Sequence, residues 1–406
     1  MNFTFKKIHC SSVRLIFRNQ PDDPYKCKTK TKFEFAPRKW FLICNFGVMT
    51  TRVRKGQGKV DLSQKDFRDR AALEFQGAEF RNISDSVRRV IDLQWKRYDH
   101  SEKYAESRPA GPGFKHPEVQ VGAEWLATKK SLSDAKRVHD GREGPPRFLV
   151  INGSPRSDNT CPGEMSKTHR LCETAIRHLK REKVDIEYLD LSRINSEYGR
   201  AIHPCKGCVS TAMPLCHFPC SCYPNHALGQ IHDWMGEIYA MWMRAHGVMI
   251  ITPVHWYSPP SVLKLMMDRM VCADGGNPDY TSTRGKDPKL AKALEIKGWD
   301  YPQHLHGRNF SVVTHGDSEG ALQVKQAITS WLNDMGLFSA GNQAEIDRYI
   351  GYYQTYAASH DALDEDLPLH REVARAADLL AIAVTESRKK PNTASRRKRN
   401  EAVRKK

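Results

Sequence analysis

The sequence predicts an α/β fold, a doubly wound parallel sheet with helices on both faces, and three observations carry that prediction. From residue 147 onward, compact apolar runs alternate with amphipathic helical segments. The runs RFLVIN (147–152), GVMIITPV (247–254) and NFSVVTHG (309–316) are apolar without a two-residue alternation, as strands buried on both faces require. Each run ends in a loop rich in Gly, Pro, Ser, His or aromatic residues. Strand–helix alternation at this spacing gives a parallel sheet through right-handed crossovers, and such sheets bind ligands where their strands end.

Residues 1–60 show no clear period. Residues 1–49 read as a basic stretch, either disordered or lying upstream of a natural start at Met49. Residues 50–146 read as a mostly helical N-terminal extension. Its segment 62–98 places Val87, Val90, Ile91 and Trp95 on one helical face for docking against a neighbouring core. RPAGPGFKHP, within 101–120, reads as a linker, and a short helix is expected around 121–137. DGREGPP (140–146) breaks the chain before the first strong strand, and the domain expected from there spans 147–385. Within it, helix 164–180 turns Met165, Thr168, Leu171, Cys172, Ala175 and Leu179 inward. VDIEYLDL (184–191) is a second strand. Residues 229–246 form a helix with Ile231, Trp234, Met235, Ile238 and Met241. VLKLMMDRM (262–270) is helical, as is the segment marked by Ala321, Val324, Ala327, Ile328, Trp331 and Leu332. A weaker fifth strand is expected near Leu337–Ala340. Residues 279–307 form a long insertion, a candidate lid or substrate wall carrying Tyr280, Arg284, Trp299, Tyr301, His304 and His306.

The net charge is +17, but residues 1–49 contribute +7 and residues 388–406 contribute +9, leaving +1 for the body. A dedicated nucleic-acid binder carries its positive charge on the folded domain, so nucleic acid is not an expected partner. The tail 386–406 reads as a disordered, solubilising end. No run reaches the ~20 apolar residues of a membrane span, and WFLICNFGVM (40–49) is too short and too far from the start for a secretory signal. The expected location is the cytoplasm.

Three loops lie at the expected carboxyl ends of the strands. The first, GSPRSDNT (153–160), leads from a strand toward a helix N-terminus, where free backbone N–H groups and the helix dipole favour phosphate. It is neither a GxxxxGK[ST] loop nor a GxGxxG fingerprint, so it reads as a phosphate cradle of another class. The second, TPVHWYSPPSVLK (252–264), sets His255, Trp256 and Tyr257 at the crevice mouth between stiffening prolines. A planar ring system beside them is one reason for such aromatics; capping the sheet or filling a dimer contact is the other. The third, THGDSEG (314–320), has glycines that let a ring edge approach the backbone, with His315 or Asp317 placed to tune it.

These residues resemble the NADPH-dependent FMN reductase family of the flavodoxin-like superfamily. GSPRSDNT is similar to its phosphate loop, TPVHWYSPPSVLKLMMDRM to its TPVYW…LKxxxDR segment, and THGDSEG to its third loop. The resemblance covers about 147–350 and implies a five-stranded sheet in the order 2-1-3-4-5. It implies FMN as cofactor, with Ser154, Arg156, Ser157, Asn159 and Thr160 on the phosphate. Pro253, Val254, His255 and Trp256 line the isoalloxazine, and Thr314, His315 and Gly316 close its other edge. His255 stands where the family often has Tyr, which puts that residue's packing role in doubt. Asp268 and Arg269 match a helix pair that reads as structural. The resemblance further implies NADPH or NADH as co-substrate, hydride transfer from the nicotinamide to the flavin, a small acceptor such as a quinone, azo or nitro compound or free flavin, and a homodimer or homotetramer. Met235, Met241, Trp242, Met266 and Met267 then face either a partner or the core. The rival reading is an electron carrier, flavodoxin-type or iron–sulfur, that does not turn over NAD(P)H; a third is a scaffold with an empty flavin site.

The cysteine segment HPCKGCVSTAMPLCHFPCSCYPN (203–225) leaves three readings open. They are cysteines without metal, a zinc or iron–sulfur site, and a redox dithiol formed by Cys205 with Cys208. Similarity to the iron–sulfur flavoproteins extends to Cys205 and Cys208 but not to the later spacing, so a metal is not the favoured reading.

Overall fold

The computed structural model describes residues 55–141, 144–181, 183–317 and 319–390. The expectations for residues 1–49 and for most of the tail lie outside the described residues. Residues 55–61, the described end of a first unit, hold no helix or strand. From Leu62 the described residues form one compact unit. It begins with α1 (Gln64–Ala71) and α2 (Ser84–Asp99), followed by an antiparallel pair β1 (Ser107–Pro109) and β2 (Gln120–Gly122), then α3 (Ala123–Asp140). The expected linker thus contains a short hairpin. On α2 Ile91 is buried, whereas Val90 is exposed, so the docking face is narrower than the spacing predicts.

The core sheet is built from β3 (Arg147–Asn152), β4 (Asp185–Asp190), β5 (Gly247–Pro253), β6 (Asn309–Gly316), β7 (Phe338–Ser339) and β8 (Glu345–Tyr349). All pairings in it are parallel, and the main path runs β4-β3-β5-β6-β8, the 2-1-3-4-5 order. The fifth position is shared. The expected strand near 337–340 is only the two-residue β7 beside Asn309 and Phe310, and β8 takes over beside Val312–Gly316. β8 escaped the sequence reading because EIDRY is a polar-rich edge strand, exposed along one face.

Helices cover both faces: α4 (Lys167–Leu179), α5 (Met235–Arg244), α6 (Ser261–Arg269), α7 (Val271–Gly275), α8 (Pro288–Gly298), α9 (Ala321–Asp334), α10 (Ala358–Glu365) and α11 (Leu367–Lys389). The strand period of two sorts the core. Leu149, Ile151, Val248, Ile250, Phe310 and Val312 pack with α3, α5, α6 and α9. Phe148, Val150, Met249, Ile251 and Val313 pack with α4 and α11. The helix 229–246 is shorter than expected, and Ile231 lies exposed before it. Met235, Trp242, Met266 and Met267 are buried in the core and Met241 packs against it, which settles their alternative in favour of core. α11, not foreseen, packs on α4 and runs past the expected boundary at 385. No described helix is long and apolar enough to cross a membrane.

Arg269 locks α6 in place. Its guanidinium meets Asp233 twice, at 2.9 and 2.6 Å, donates to the His203 carbonyl at 2.9 Å and lies over the Tyr223 ring. Both charged side chains are buried. The structural role read for Arg269 is what this geometry provides, whereas Asp268 forms an exposed pair with Lys264. Removing one member leaves the other charged and uncompensated, a cost of about 3–5 kcal/mol. Arg269→Ala is therefore expected to lower unfolding stability by that amount in urea titration, and a loss below about 1 kcal/mol would show that water reaches the pair.

Candidate functional site

The carboxyl ends of β3, β5 and β6 open onto a cleft of about 260 Å³. Three loops and the segment after β8 line it. From the first loop come Ser154 and Arg156; from the second Pro253, Val254 and His255; from the third His315, Gly316 and Asp317. The structure therefore brings all three loops together. It also adds residues not expected from the sequence: Ser166, Lys167 and Thr168 at the start of α4, and Ile350, Tyr352 and Tyr356 beyond β8. The YY…Y pattern of GYYQTY following the last strand was the available signal.

The first loop holds its own shape. The Ser154 N–H donates to Asn152 Oδ1 at 3.0 Å, and the Arg156 N–H to Ser154 Oγ at 3.1 Å. The Ser157 N–H donates to Thr160 Oγ1 at 3.0 Å, and that hydroxyl donates to the Ser157 carbonyl at 2.7 Å. Ser157 and Asn159 line an adjoining hollow of about 100 Å³ beside Asp190 and Arg193, which shares Arg156 and Ser166 with the cleft, and Thr160 lines neither space. The helix starts at Lys167 rather than near 164, with Ser166 as N-cap accepting from the His169 N–H. The cationic end of the cleft is thus Arg156 with Lys167 at the helix N-terminus. Both stand over the Tyr356 ring, at 3.7 and 4.0 Å from its centre. Glu164 pairs with Arg156 at 2.7 Å, and Arg156 Nε is buried without a partner. Burial holds the Lys167 ammonium below the ordinary lysine range, with Asp317 opposing that shift. An anion placed here relieves both cations.

The second loop turns on Trp256 and Tyr257, both with left-handed φ values of 49° and 61°. The N–H groups of His255 and Ser258 each donate to the other's carbonyl, closing a two-residue turn. Such a turn ordinarily takes Asn or Gly, and bulky residues in it cost roughly 1–3 kcal/mol each. Trp256 is 93% exposed and Tyr257 64% exposed, so neither cost is offset by burial. Trp256 does not line the cleft; it stands at the rim. Gly320 closes the third loop against this turn, at φ 108°, where a Cβ would lie 3.0 Å from Tyr257 Cα.

Thr314 is fully buried, and its hydroxyl donates to the carbonyls of Ala321 and Ile346, so it shapes the strand end instead of facing the cleft. His315 lines the cleft, is 3% exposed, and pairs through Nε2 with Thr168 Oγ1 at 3.0 Å. Its Nδ1 is buried without a partner. Burial, reinforced by Lys167 and His255, depresses its pKa to about 3, so the imidazole is neutral.

The insertion is not a wall of this cleft. Tyr280 packs against Trp125 and His217, Trp299 Nε1 donates to the Gly275 carbonyl, and His304 stacks on Phe218. The N-terminal extension binds the same region: Trp125 Nε1 donates to the Pro219 carbonyl, and the Tyr104 and Tyr280 hydroxyls meet at 3.1 Å. Among the described residues no cluster of three or more His, Cys, Asp or Glu side chains is placed to hold a metal.

With this geometry in hand, one comparison is decisive. The family model of NADPH-dependent FMN reductases matches residues 146–349, half of the chain. The chain belongs to the NADPH-dependent FMN reductase family. No curated protein sequence matches it. Among solved structures it is similar to RosB with a bound 8-demethyl-8-formylriboflavin-5'-phosphate intermediate, at 13% identity and TM-score 0.41, covering 64% of this chain and 87% of RosB. It is similar to an apo NADH:FMN oxidoreductase at 14% identity and TM-score 0.33, covering 61% and 91% of the two chains. It is also similar to an azoreductase from Bacillus anthracis at 13% identity and TM-score 0.32, covering 57% and 99%. Likenesses of this size bear on neither ligand nor activity.

The neutral His315 of this FMN reductase family member carries a stability consequence. The unfolded chain takes up a proton at this residue near pH 6.5, the folded chain only near 3. The stability it supports is present above pH 6.5 and lost as pH falls toward 3. Between pH 7 and about pH 5 the loss from this group is about 2 kcal/mol. In urea unfolding at both pH values, His315→Gln is expected to remove about that much of the pH dependence; an unchanged dependence would show that folding leaves the His315 pKa where it is in the unfolded chain.

Proposed function

We propose that the protein is an FMN-dependent NAD(P)H oxidoreductase that passes electrons from NADPH or NADH to a quinone, a flavin or a similar small acceptor. One observation supports this most: a cationic helix N-terminus and a rigid apolar loop meet in a single cleft, in a chain of this family. The residues fit FMN at both ends. Arg156 and Lys167, two cations on one tyrosine ring, are left short of negative charge that a phosphate supplies, and Ser154 and Thr168 add hydroxyls beside it. Pro253 and Val254 offer a stiff edge for a flat ring, and His315 offers an unpartnered ring nitrogen.

When bound, FMN supplies hydride acceptance and electron donation. The protein's part is placement. Arg156 and Lys167 neutralise the phosphate, and the second loop orients the ring edge. The neutral His315 keeps a polar contact without adding a second charge. The cleft lies just under the ~300 Å³ floor of ordinary ligand pockets, so a ligand of FMN's size extends to the rim, where Trp256 and Tyr257 stand exposed. That rim is the place for a nicotinamide or an acceptor to stack in turn. Of the phosphate residues implied by resemblance, Ser154 and Arg156 are retained in this proposal, whereas Ser157, Asn159 and Thr160 act by shaping the loop.

Two measurements test this. Purified protein reconstituted with FMN under argon should show oxidised-flavin absorption that bleaches on adding NADPH or NADH. Flavin that binds but does not bleach would replace the reductase with an electron carrier. No binding would leave a scaffold. Lys167→Ala should weaken FMN affinity about tenfold and Arg156→Ala with Lys167→Ala at least a hundredfold in flavin-fluorescence titration, and unchanged affinity in the double variant would move the phosphate elsewhere.

A further inference from the structure

The cysteine segment forms a second chemical centre that shares no lining residue with the cleft. Cys208 Sγ and Cys222 Sγ lie 3.4 Å apart. Lys286, from the insertion, places Nζ 3.3 Å from Cys208 Sγ and donates to the Leu215 carbonyl at 2.9 Å. On the other side, Lys103 donates to the Ser221 carbonyl. Both lysines are half-buried, and the groups facing them are the thiols of Cys208, Cys216, Cys220 and Cys222, the Tyr104 hydroxyl, His217 and the other cations Lys206 and Lys286. Among the described residues neither lysine is paired with a carboxylate. Removing an ammonium from water without a counter-ion is costly. The ionisable group in direct contact with Lys286 is the Cys208 sulfur, so charge balance calls for a thiolate there.

The pairing differs from the Cys205–Cys208 dithiol expected from the sequence. Cys205 Sγ instead accepts from the Gly207 N–H. Cys208 is half-buried and Cys222 is 7% exposed, so Cys208 is the more accessible of the two.

We propose that Cys208 and Cys222 are a peroxide-sensitive dithiol, with Cys208 the attacking thiolate, Cys222 the resolving thiol and Lys286 the positioning counter-ion. The oxidant is hydrogen peroxide. The Cys208 thiolate attacks one peroxide oxygen, an S–O bond forms as the O–O bond breaks, and the departing hydroxide takes a proton to become water. The Cys222 sulfur then attacks the Cys208 sulfenic acid, the S–S bond forms as the S–O bond breaks, and the second oxygen leaves as water with the Cys222 proton. Two thiols and one peroxide yield one disulfide and two waters. The setting favours this order. The hydrogen bond with Cys222 draws the Cys208 thiol down to about 6, burial opposes it, and the Lys286 charge adds to it. Burial pushes Cys216 up, and the hydrogen bond with Cys222 together with burial pushes Cys220 up, so both stay protonated and slow to react.

The test uses the full chain, reduced and then exposed to a few equivalents of hydrogen peroxide, with remaining thiols capped by N-ethylmaleimide and the digest read by mass spectrometry. The expected product is one Cys208–Cys222 linkage, reversed by dithiothreitol. Cys222→Ser should stop at a Cys208 sulfenic acid that dimedone captures. In the unoxidised protein, iodoacetamide labelling of Cys208 should reach half its maximal rate near pH 6. Lys286→Met should raise that midpoint toward the ordinary thiol value and slow labelling at pH 7 about tenfold, while Lys286→Arg restores it. A Cys205–Cys208 linkage, no loss of free thiols, or one bound zinc or iron per chain whose chelation must precede Cys208 labelling would each overturn the proposal.

Discussion

The cleft depends on how closely β3 and β5 approach at their carboxyl ends. The Gly153 N–H donates to the Ile251 carbonyl at 2.8 Å, which carries the ladder one residue past the strand. A Cβ at Gly153 would lie 2.6 Å from Thr252 Oγ1 and 3.0 Å from Leu263 Cδ2, so only glycine permits this approach. Because the first loop leaves there, Ser154 lines the same cleft as Pro253. Val254 then donates its N–H to the His315 carbonyl at 2.9 Å, tying the second loop to the third. The geometry that gathers three loops is thus a continuation of sheet hydrogen bonding beyond the last residues of the strands.

Around that frame the chain solves the problem of buried positive charge in three ways. Arg269 uses a carboxylate. Arg308, buried beneath α5, donates to the Trp242 and Met243 carbonyls at 3.0 and 2.7 Å, taking up the negative end of that helix. Burial still brings its pKa down to about 10. Arg156 and Lys167 share one aromatic ring, with Glu164 paired to Arg156 and Asp317 acting on Lys167. The first two set their cations against acceptors within the protein, although Arg269 Nε, like Arg156 Nε, is buried without a partner. The third has room for a further anion, the place the proposed phosphate contact would take.

The central strands were legible because burial on both faces forces uninterrupted apolar runs, and the loops followed from where those runs stop. The limits of the reading have equally physical causes. Ser157, Asn159 and Thr160 make hydrogen bonds within the loop, and no residue type announces whether such groups also meet a phosphate. Thr314 lies at the right strand end but on the inward phase of the pleat. Lys167 enters the cleft only because the chain after Gly153 makes a long excursion before α4 begins, and sequence distance hides the return. α11 carries Leu369, Val373, Ala376, Leu380 and Val384 at helical spacing, a pattern muted by its alanines. The insertion shows the opposite error: its aromatic and histidine content suggested a substrate wall, while those side chains are occupied with Trp125, His217 and Phe218.

That occupation explains why the chain departs from a bare five-stranded domain. The hairpin and α3 from the N-terminal extension meet the 279–307 insertion over the cysteine segment: the Lys115 and His116 N–H groups donate to Asp279 and Thr281, and Lys129 to the Phe218 carbonyl. Two additions far apart in sequence therefore fold onto one stretch of thiols and leave the cleft untouched. An enclosure of this kind is costly in backbone entropy, and only part of it serves the sheet, through Leu132 and Ala135 of α3 and Leu305 of the insertion. What it does provide is a partly dry pocket in which Lys103 and Lys286 act on sulfur at short range, where the attraction is least screened. Oxidation of Cys208 would remove the negative charge that Lys286 meets, so the contact joining the insertion to the cysteine segment is the one whose strength follows the state of the thiols.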